Sequence, residues 1–167
     1  IIMLNTFFEK IYVINCVNEM NRRNYIKNHF LYNNIKFEFR PCIDKNYFSE
    51  NHKISNQGIS LIQSHRQCII ESKINGYKNI LICEDDVEFI SNLDSNFSEF
   101  IKILPDDWHF IQLGNQSGKS IEKFLIRDKI KENLYKFKWG TGSHCIGVNQ
   151  SMFDLCIDEF NSTEEHI

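Results

Sequence analysis

The sequence predicts a mixed α/β fold in which a largely parallel sheet carries helices on its faces. Short strand-like runs alternate with helix-like segments along the chain, which is the order that parallel βαβ units require. One of these runs, 79–83, is apolar throughout after its first residue, as expected for a strand covered on both faces. A length of 167 residues and a hydrophobic fraction of 42% suffice for one domain with a buried core.

The first half of the chain contains two predicted strands and two predicted helices. β-branched and aromatic residues predict a strand over 10–15, and alternating apolar and polar residues predict another over 35–39. A helix over 22–32 lies between them. Its predicted inner face consists of Tyr25, Ile26, His29 and Phe30. A second helix spans about 60–73, and Gly76 just past its last turn is a typical stop signal.

The second half of the chain continues the alternation of strands and helices. In order, the predicted elements are a strand over 79–83, a helix over 97–104, a strand over 108–113, an apolar stretch over 144–148 and a helix over 151–160. Gly140-Thr141-Gly142 precede the apolar stretch, and Ser151 is the predicted cap of the last helix.

Composition excludes several classes of protein. A net charge of −3 and a pI of about 6.1 indicate no general attraction to nucleic acid or anionic lipid. We find no signal peptide and no apolar run near the roughly 20 residues of a membrane helix, so we expect a cytoplasmic protein without a transmembrane segment.

The six cysteines are spread singly along the chain and form no CxxC pair, which gives a zinc site little support. They are Cys16, Cys42, Cys68, Cys83, Cys145 and Cys156. We expect them to be reduced and buried as small hydrophobic residues rather than joined in disulfides.

Three consecutive carboxylates, Glu84-Asp85-Asp86, follow the apolar strand and are the strongest chemical signal in the sequence. Like charges at the end of a buried strand repel one another, and Mn²⁺ or Mg²⁺ would relieve that repulsion while leaving positions for a diphosphate. A solvated acidic turn is the alternative, and the residue pattern alone leaves both open. Asn15 and Asp44 also follow predicted strands, so all three groups would meet at one edge of a parallel sheet.

Three other pairs of residues carry weaker signals. Guanidinium groups suit phosphate oxygens, although Arg22-Arg23 at a helix start could simply be solvated. Ser64-His65 on a helix face different directions, so they are not a nucleophile–base pair. Asp106 and Asp107 are candidates for a catalytic base, although a Pro-Asp-Asp turn before a strand explains them more simply.

The order of these motifs resembles glycosyltransferase family 25, which includes lipopolysaccharide galactosyltransferases and collagen hydroxylysine galactosyltransferases. The resemblance rests on Tyr12-Val13-Ile14-Asn15, Asn21-Arg22-Arg23, Pro41-Cys42-Ile43-Asp44, Ser64-His65 and Ile82-Cys83-Glu84-Asp85-Asp86. Segments 108–113 and 142–148 are also similar, so the resemblance covers nearly the whole chain. Asn21 departs from the family pattern, which has an aspartate there, and Ser60-Leu61 replace a small residue and a cysteine.

The resemblance implies a GT-A-type, Rossmann-like fold and an inverting transferase that takes a hexose, galactose or glucose, from a UDP-sugar. The acceptor would be a glycan or a protein hydroxylysine, as in lipopolysaccharide biosynthesis or collagen glycosylation. The residues implied to bind the nucleotide sugar are Asn15, Arg23, Asp44, Ser64, His65 and Asp85. Asp86, helped by Glu84, would hold Mn²⁺ or Mg²⁺ on the diphosphate.

The chain is expected to form a single glycosyltransferase domain over 1–167. It is shorter than most members of the family, which leaves open whether a C-terminal portion is missing. Two other functions stay open at this point. One is a catalytically inactive glycosyltransferase-like binding module, motivated by Asn21 and the short length. The other is a metal-dependent phosphohydrolase, since carboxylates after a strand also serve phosphoryl transfer.

Overall fold

The computed structural model describes residues 3–16, 18–48, 55–89, 91–113, 127–131, 134–137 and 144–165. The helices are α1 (Leu4–Phe7), α2 (Met20–Tyr32), α3 (Asn56–Asn75), α4 (Leu93–Ile103) and α5 (Phe153–Glu165). The strands are β1 (Lys10–Asn15), β2 (Glu38–Pro41), β3 (Asn79–Glu84), β4 (Phe110–Gln112), β5 (Arg127–Lys131), β6 (Leu134–Phe137) and β7 (Cys145–Asn149). The segment Gly140-Thr141-Gly142, predicted to precede an apolar stretch, lies outside the described residues.

The main sheet has five strands in the order β2-β1-β3-β7-β4. Strand β1 is parallel to β2 and β3, whereas β7 is antiparallel to both β3 and β4. Four strands therefore share one direction and β7 runs against them. The predicted mixed α/β fold with a mostly parallel sheet is confirmed. A separate antiparallel pair, β5 and β6, was not expected from the sequence.

Hydrophobic side chains cover both faces of the sheet because successive residues of β1 and β3 point to opposite sides. One core cluster, toward α1, α2 and α4, includes Leu4, Phe8, Ile11, Val13, Ile26, Phe30, Leu81, Cys83 and Phe97. The other cluster, toward α3 and α5, includes Tyr12, Ile14, Cys68, Ile69, Ile80, Ile82, Phe153 and Cys156. The prediction that strand 79–83 is covered on both faces is confirmed, since residues 80–83 are at most 1% exposed.

Local signals explain where α3 begins and ends. The Ser55 hydroxyl accepts a hydrogen bond from the Gly58 amide at 3.2 Å, so the helix starts a turn earlier than predicted. Gly76 ends it in the left-handed conformation, with φ of 70°, as its position predicts.

Two sequence predictions about the first half of the chain are wrong in detail. The second strand is not 35–39 but Glu38–Pro41, since Ile35 still donates its amide to the Phe30 carbonyl at the end of α2. Pro41 fits there because β2 is an edge strand. Tyr25 is not part of the inner face of α2, because it is 52% exposed and its hydroxyl donates to Glu88 at 3.3 Å.

The prediction that all six cysteines are reduced is wrong for one pair, because Cys16 and Cys42 form a disulfide. Asn15 and Pro41 are partners in the register of β1 and β2, so the next residue of each strand lies beside the other. The remaining cysteines, Cys68, Cys83, Cys145 and Cys156, are buried and free, as predicted.

The membrane prediction concerns helix length and hydropathy. Over the described ranges, none of the helices combines the length and the apolar character that crossing a bilayer requires.

Candidate active site

Three side chains with atoms that can bind a metal ion converge where β3 ends and β7 begins. His144 Nδ1 lies 2.8 Å from Asp86 Oδ1 and 3.6 Å from Glu84 Oε2. One ligand atom from each residue falls within 4.8 Å of the others. The three side chains are partly exposed, which leaves room beside them for further ligands. We refer to Glu84, Asp86 and His144 as the acidic–histidine cluster.

The antiparallel pairing of β3 with β7 places His144 in this cluster. Cys83 and Cys145 are register partners, and one step further the Glu84 amide donates to the His144 carbonyl at 2.8 Å. The beginning of β7 therefore lies at the same sheet edge as the carboxyl end of β3. Sequence reasoning missed His144 as a candidate site residue. The one signal that could have identified it is its position directly before an apolar strand.

The chemistry of the cluster fits a divalent cation. Two carboxylates and an imidazole are common metal ligands, and a cation bound among them would offset the repulsion between the two carboxylates. The residues that could hold the ion are the predicted Glu84 and Asp86 together with His144.

Asp85 has a different environment from its two acidic neighbours. It is 8% exposed, and both of its carboxylate oxygens accept hydrogen bonds from protein groups. Asn15 Nδ2 donates to Oδ2 at 2.7 Å, and Arg22 Nη1 donates to Oδ1 at 3.2 Å. The hydrogen bond to Asp85 also raises the pKa of the Arg22 guanidinium above its usual value. The repulsion expected among three carboxylates is thus reduced, because an arginine neutralises the middle one.

The two neighbouring arginines have separate positions. Arg22 lines a cavity beside Asp85, whereas Arg23 donates to the Asn15 side chain at 3.3 Å. The Arg23 guanidinium carbon lies 3.8 Å from the centre of the Phe39 ring, a cation–π contact that fixes the group against β2. Arg23 therefore supports Asn15, and Arg22 is the arginine that a ligand in the cavity would meet.

The cavity has a volume of about 550 Å³ and opens between the carboxyl ends of the first three strands and the starts of α2 and α3. Its wall includes Arg22, Asp44, Lys45, Ser60, Glu84 and Asp85. This volume lies in the range of small-molecule sites, and charged groups of both signs line it. Because Glu84 belongs both to the wall and to the acidic–histidine cluster, the cluster lies next to the cavity.

Asp44, Ser64 and His65 take different positions around the cavity. Asp44 is exposed on the wall, and its carboxylate accepts from the Asn46 amide at 2.9 Å at the start of a 3-10 helix, Lys45–Tyr47. Ser64 Oγ accepts from the Ile43 amide at 2.9 Å and so holds the Asp44 loop from behind. His65 is buried, with Nδ1 2.9 Å from the Leu61 carbonyl. In the part of the chain that the structure describes, Ser64 and His65 do not reach the cavity surface.

The structure does not bring the two candidate bases to this site. Asp106 and Asp107 are exposed in the turn before β4, which runs parallel to β3. The Asn149 amide, at the far end of β7, donates to the His109 carbonyl at 3.0 Å. Asp106 and Asp107 therefore lie at the opposite edge of the sheet from the acidic–histidine cluster.

Comparisons with known proteins agree with this architecture. The family described as "Glycosyltransferase family 25 (LPS biosynthesis protein)" matches residues 8–163. The fold is similar to the crystal structure of a glycosyltransferase involved in the glycosylation of the major capsid of PBCV-1, with a TM-score of 0.53 and 10% identity. The match covers 93% of this chain and 67% of that one. No curated protein is similar enough in sequence to count as a match.

Proposed function

This chain belongs to glycosyltransferase family 25, and from that premise we propose that it transfers a hexose, galactose or glucose, from a UDP-sugar with inversion. The observation that carries the proposal is that the acidic–histidine cluster lies next to the cavity of about 550 Å³ and shares Glu84 with its wall. A nucleoside diphosphate sugar fits such a pair of sites, a cation site for the phosphates and a cavity for the nucleoside and the sugar.

We assign the cation site to Glu84, Asp86 and His144. Of the two expected ions, the imidazole favours Mn²⁺, because Mg²⁺ takes oxygen ligands almost exclusively. When bound, the cation would supply positive charge that stabilises the departing nucleoside diphosphate.

The residues on the cavity wall supply the rest of the electrostatics. Arg22 provides a positive charge near the diphosphate. Its hydrogen bond to Asp85 orients the guanidinium before the donor binds. Asn15 holds Asp85 from the other side through its own hydrogen bond, and Arg23 in turn holds the Asn15 side chain. Asp44 is placed to accept from the ribose or base, and Ser64 keeps its loop in position. His65 supports the helix behind that loop.

The proposed function also includes the acceptor of the transferred sugar. The family description favours a lipopolysaccharide glycan, and hydroxylysine of a collagen-like protein is the other acceptor class. An inverting enzyme requires a base near the acceptor hydroxyl, and we assign none. A cytoplasmic location is also part of the proposal.

The function is tested by calorimetric titration with UDP, UDP-glucose and UDP-galactose in Mn²⁺, repeated in EDTA. We expect binding that requires the metal and prefers one sugar, followed by release of UDP when an acceptor is added. Metal-dependent binding without transfer or hydrolysis on any acceptor would favour the inactive binding module. Absence of UDP-sugar binding in both conditions would contradict the proposal.

A further inference from the structure

The wall of the donor cavity contains a disulfide. Both Cys16 and Cys42 line the cavity, and their Cα atoms are 4.9 Å apart. Cys16 directly follows Asn15, which bonds Asp85, and Cys42 begins the segment that leads to Asp44. The bond therefore joins the two strand ends that carry proposed donor-binding residues.

The position of Cys16 makes this bond accessible to small thiols. Cys16 is exposed, whereas Cys42 is half-buried, so an attacking thiolate reaches the Cys16 sulfur first. The attack forms a mixed disulfide on Cys16, and Cys42 leaves as a thiolate that takes up a proton. A second thiol then attacks the mixed disulfide, which releases the oxidised small disulfide and leaves Cys16 as a thiol. Two small thiols are oxidised and one protein disulfide is reduced, so the electrons balance.

The other cysteines do not compete for such reagents. Burial raises the pKa of the Cys68 thiol to about 12 and that of Cys156 to about 11. Burial also raises the pKa of Cys83, and its sulfur lies 3.4 Å from that of Cys145 in the core. Because the thiolate is the reactive form, Cys68, Cys83 and Cys156 are protected both by burial and by protonation, and Cys145 is protected by its burial. Exchange would therefore be confined to the cavity wall.

Without the disulfide, the segment after β2 depends on few contacts. The Ile43 amide donates to Ser64 Oγ at 2.9 Å, the Ser60 hydroxyl donates to the Ile43 carbonyl, and the Cys42 amide donates to the Asn15 carbonyl at 3.2 Å. Asp44, Lys45 and Asn46 beyond it are exposed. Reduction removes the covalent restraint between this wall and β1, so that only these hydrogen bonds and packing contacts hold it in place.

We propose that the Cys16–Cys42 disulfide is a thiol–disulfide exchange site, and that its oxidised form keeps residues 43–46 in the conformation that binds a nucleoside diphosphate. The inference rests on the proposed function for its ligand, but the exchange chemistry and the restraint on residues 43–46 do not. A rigid wall lowers the ordering cost of binding, so a bond that restrains the wall changes the affinity for the ligand.

In the test, the native protein is incubated in mixtures of reduced and oxidised glutathione of varying ratio. Mass spectrometry after alkylation measures which cysteines become free, hydrogen exchange measures protection of residues 42–46, and calorimetry measures UDP affinity in Mn²⁺. We expect Cys16 and Cys42 alone to become alkylated, exchange in 42–46 to rise, and UDP affinity to fall about fivefold. A variant carrying Cys16→Ser and Cys42→Ser should match the reduced protein and no longer respond to glutathione.

Other outcomes separate the two proposals. Alkylation of Cys16 and Cys42 in protein never exposed to reductant would overturn the exchange site, as would unchanged hydrogen exchange and unchanged UDP affinity after reduction. If UDP binds in neither state, the proposed function fails. The hydrogen-exchange data then decide whether the disulfide restrains the wall. Faster hydrogen exchange in residues 42–46 after reduction supports the thiol–disulfide exchange site, and unchanged hydrogen exchange rules it out.

Discussion

At the scale of single residues, the three consecutive carboxylates divide into two environments. Glu84 and Asp86 approach His144, while Asp85 accepts bonds from Asn15 and Arg22. A turn explains the division: β3 ends at Glu84, the Val87 amide donates to the Glu84 carbonyl at 3.4 Å, and Asp85 and Asp86 between them are directed to different partners. The three consecutive acids thus supply two residues of the acidic–histidine cluster, Glu84 and Asp86, and one counter-ion for Arg22.

His144 is the residue whose role is most open to a direct test. Replacement by glutamine, His144→Gln, removes the only nitrogen ligand of the acidic–histidine cluster, so Mn²⁺ affinity should fall by about tenfold or more. Electron spin echo spectroscopy of bound Mn²⁺ should show coupling to an imidazole nitrogen in the native protein and lose it in the variant. His109→Gln is the matched control, because His109 is exposed and bonds Ser151 at the other sheet edge. An unchanged nitrogen coupling in His144→Gln would exclude His144 as a ligand.

At the scale of elements, strand β7 determines the composition of the site. It runs against its neighbours, so its first residues lie beside the carboxyl end of β3. The sequence predicts the strands themselves from their apolar runs, and the convergence of Asn15 and Asp85 from the parallel arrangement. It does not reveal the direction of β7, because a short apolar strand has the same residue pattern in either direction. For that reason His144 was missed.

The same limit of sequence reasoning explains why the disulfide between Cys16 and Cys42 was not predicted. Single cysteines in apolar surroundings predict buried thiols, and this holds for the four in the core. Pairing of the other two depends on the register of β1 with β2, which sequence periodicity does not specify.

Packing of β7 gives a prediction about stability. A Cβ added to Gly147 would lie 2.8 Å from Cε1 of the Phe8 ring and 3.3 Å from Cβ of Ile111. Gly147→Ala should therefore lower the free energy of unfolding by about 1–3 kcal/mol, measured by urea denaturation. Combining it with Phe8→Leu, which removes the ring edge, should cost less than the sum of the two single changes. Strict additivity would show that Phe8 is not what excludes the methyl group.

At the scale of the whole molecule, the main sheet carries the candidate site at one edge, where β3 ends and β7 begins. Both faces are packed, by α1, α2 and α4 on one side and α3 and α5 on the other. The residues at the opposite edge, such as Asp106 and Asp107, are consequently separated from the cavity by the length of the strands. This separation supplies internal controls, because the same change can be made at either edge.

The central claim is that the acidic–histidine cluster binds the cation that in turn binds the donor diphosphate. The most direct measurement is calorimetric titration of UDP in Mn²⁺ with Asp86→Asn and with its control at the opposite edge, Asp107→Asn. We predict that Asp86→Asn lowers UDP affinity by about tenfold or more, to the level of the native protein in EDTA, while Asp107→Asn leaves it unchanged. Full metal-dependent UDP binding by Asp86→Asn would contradict the claim.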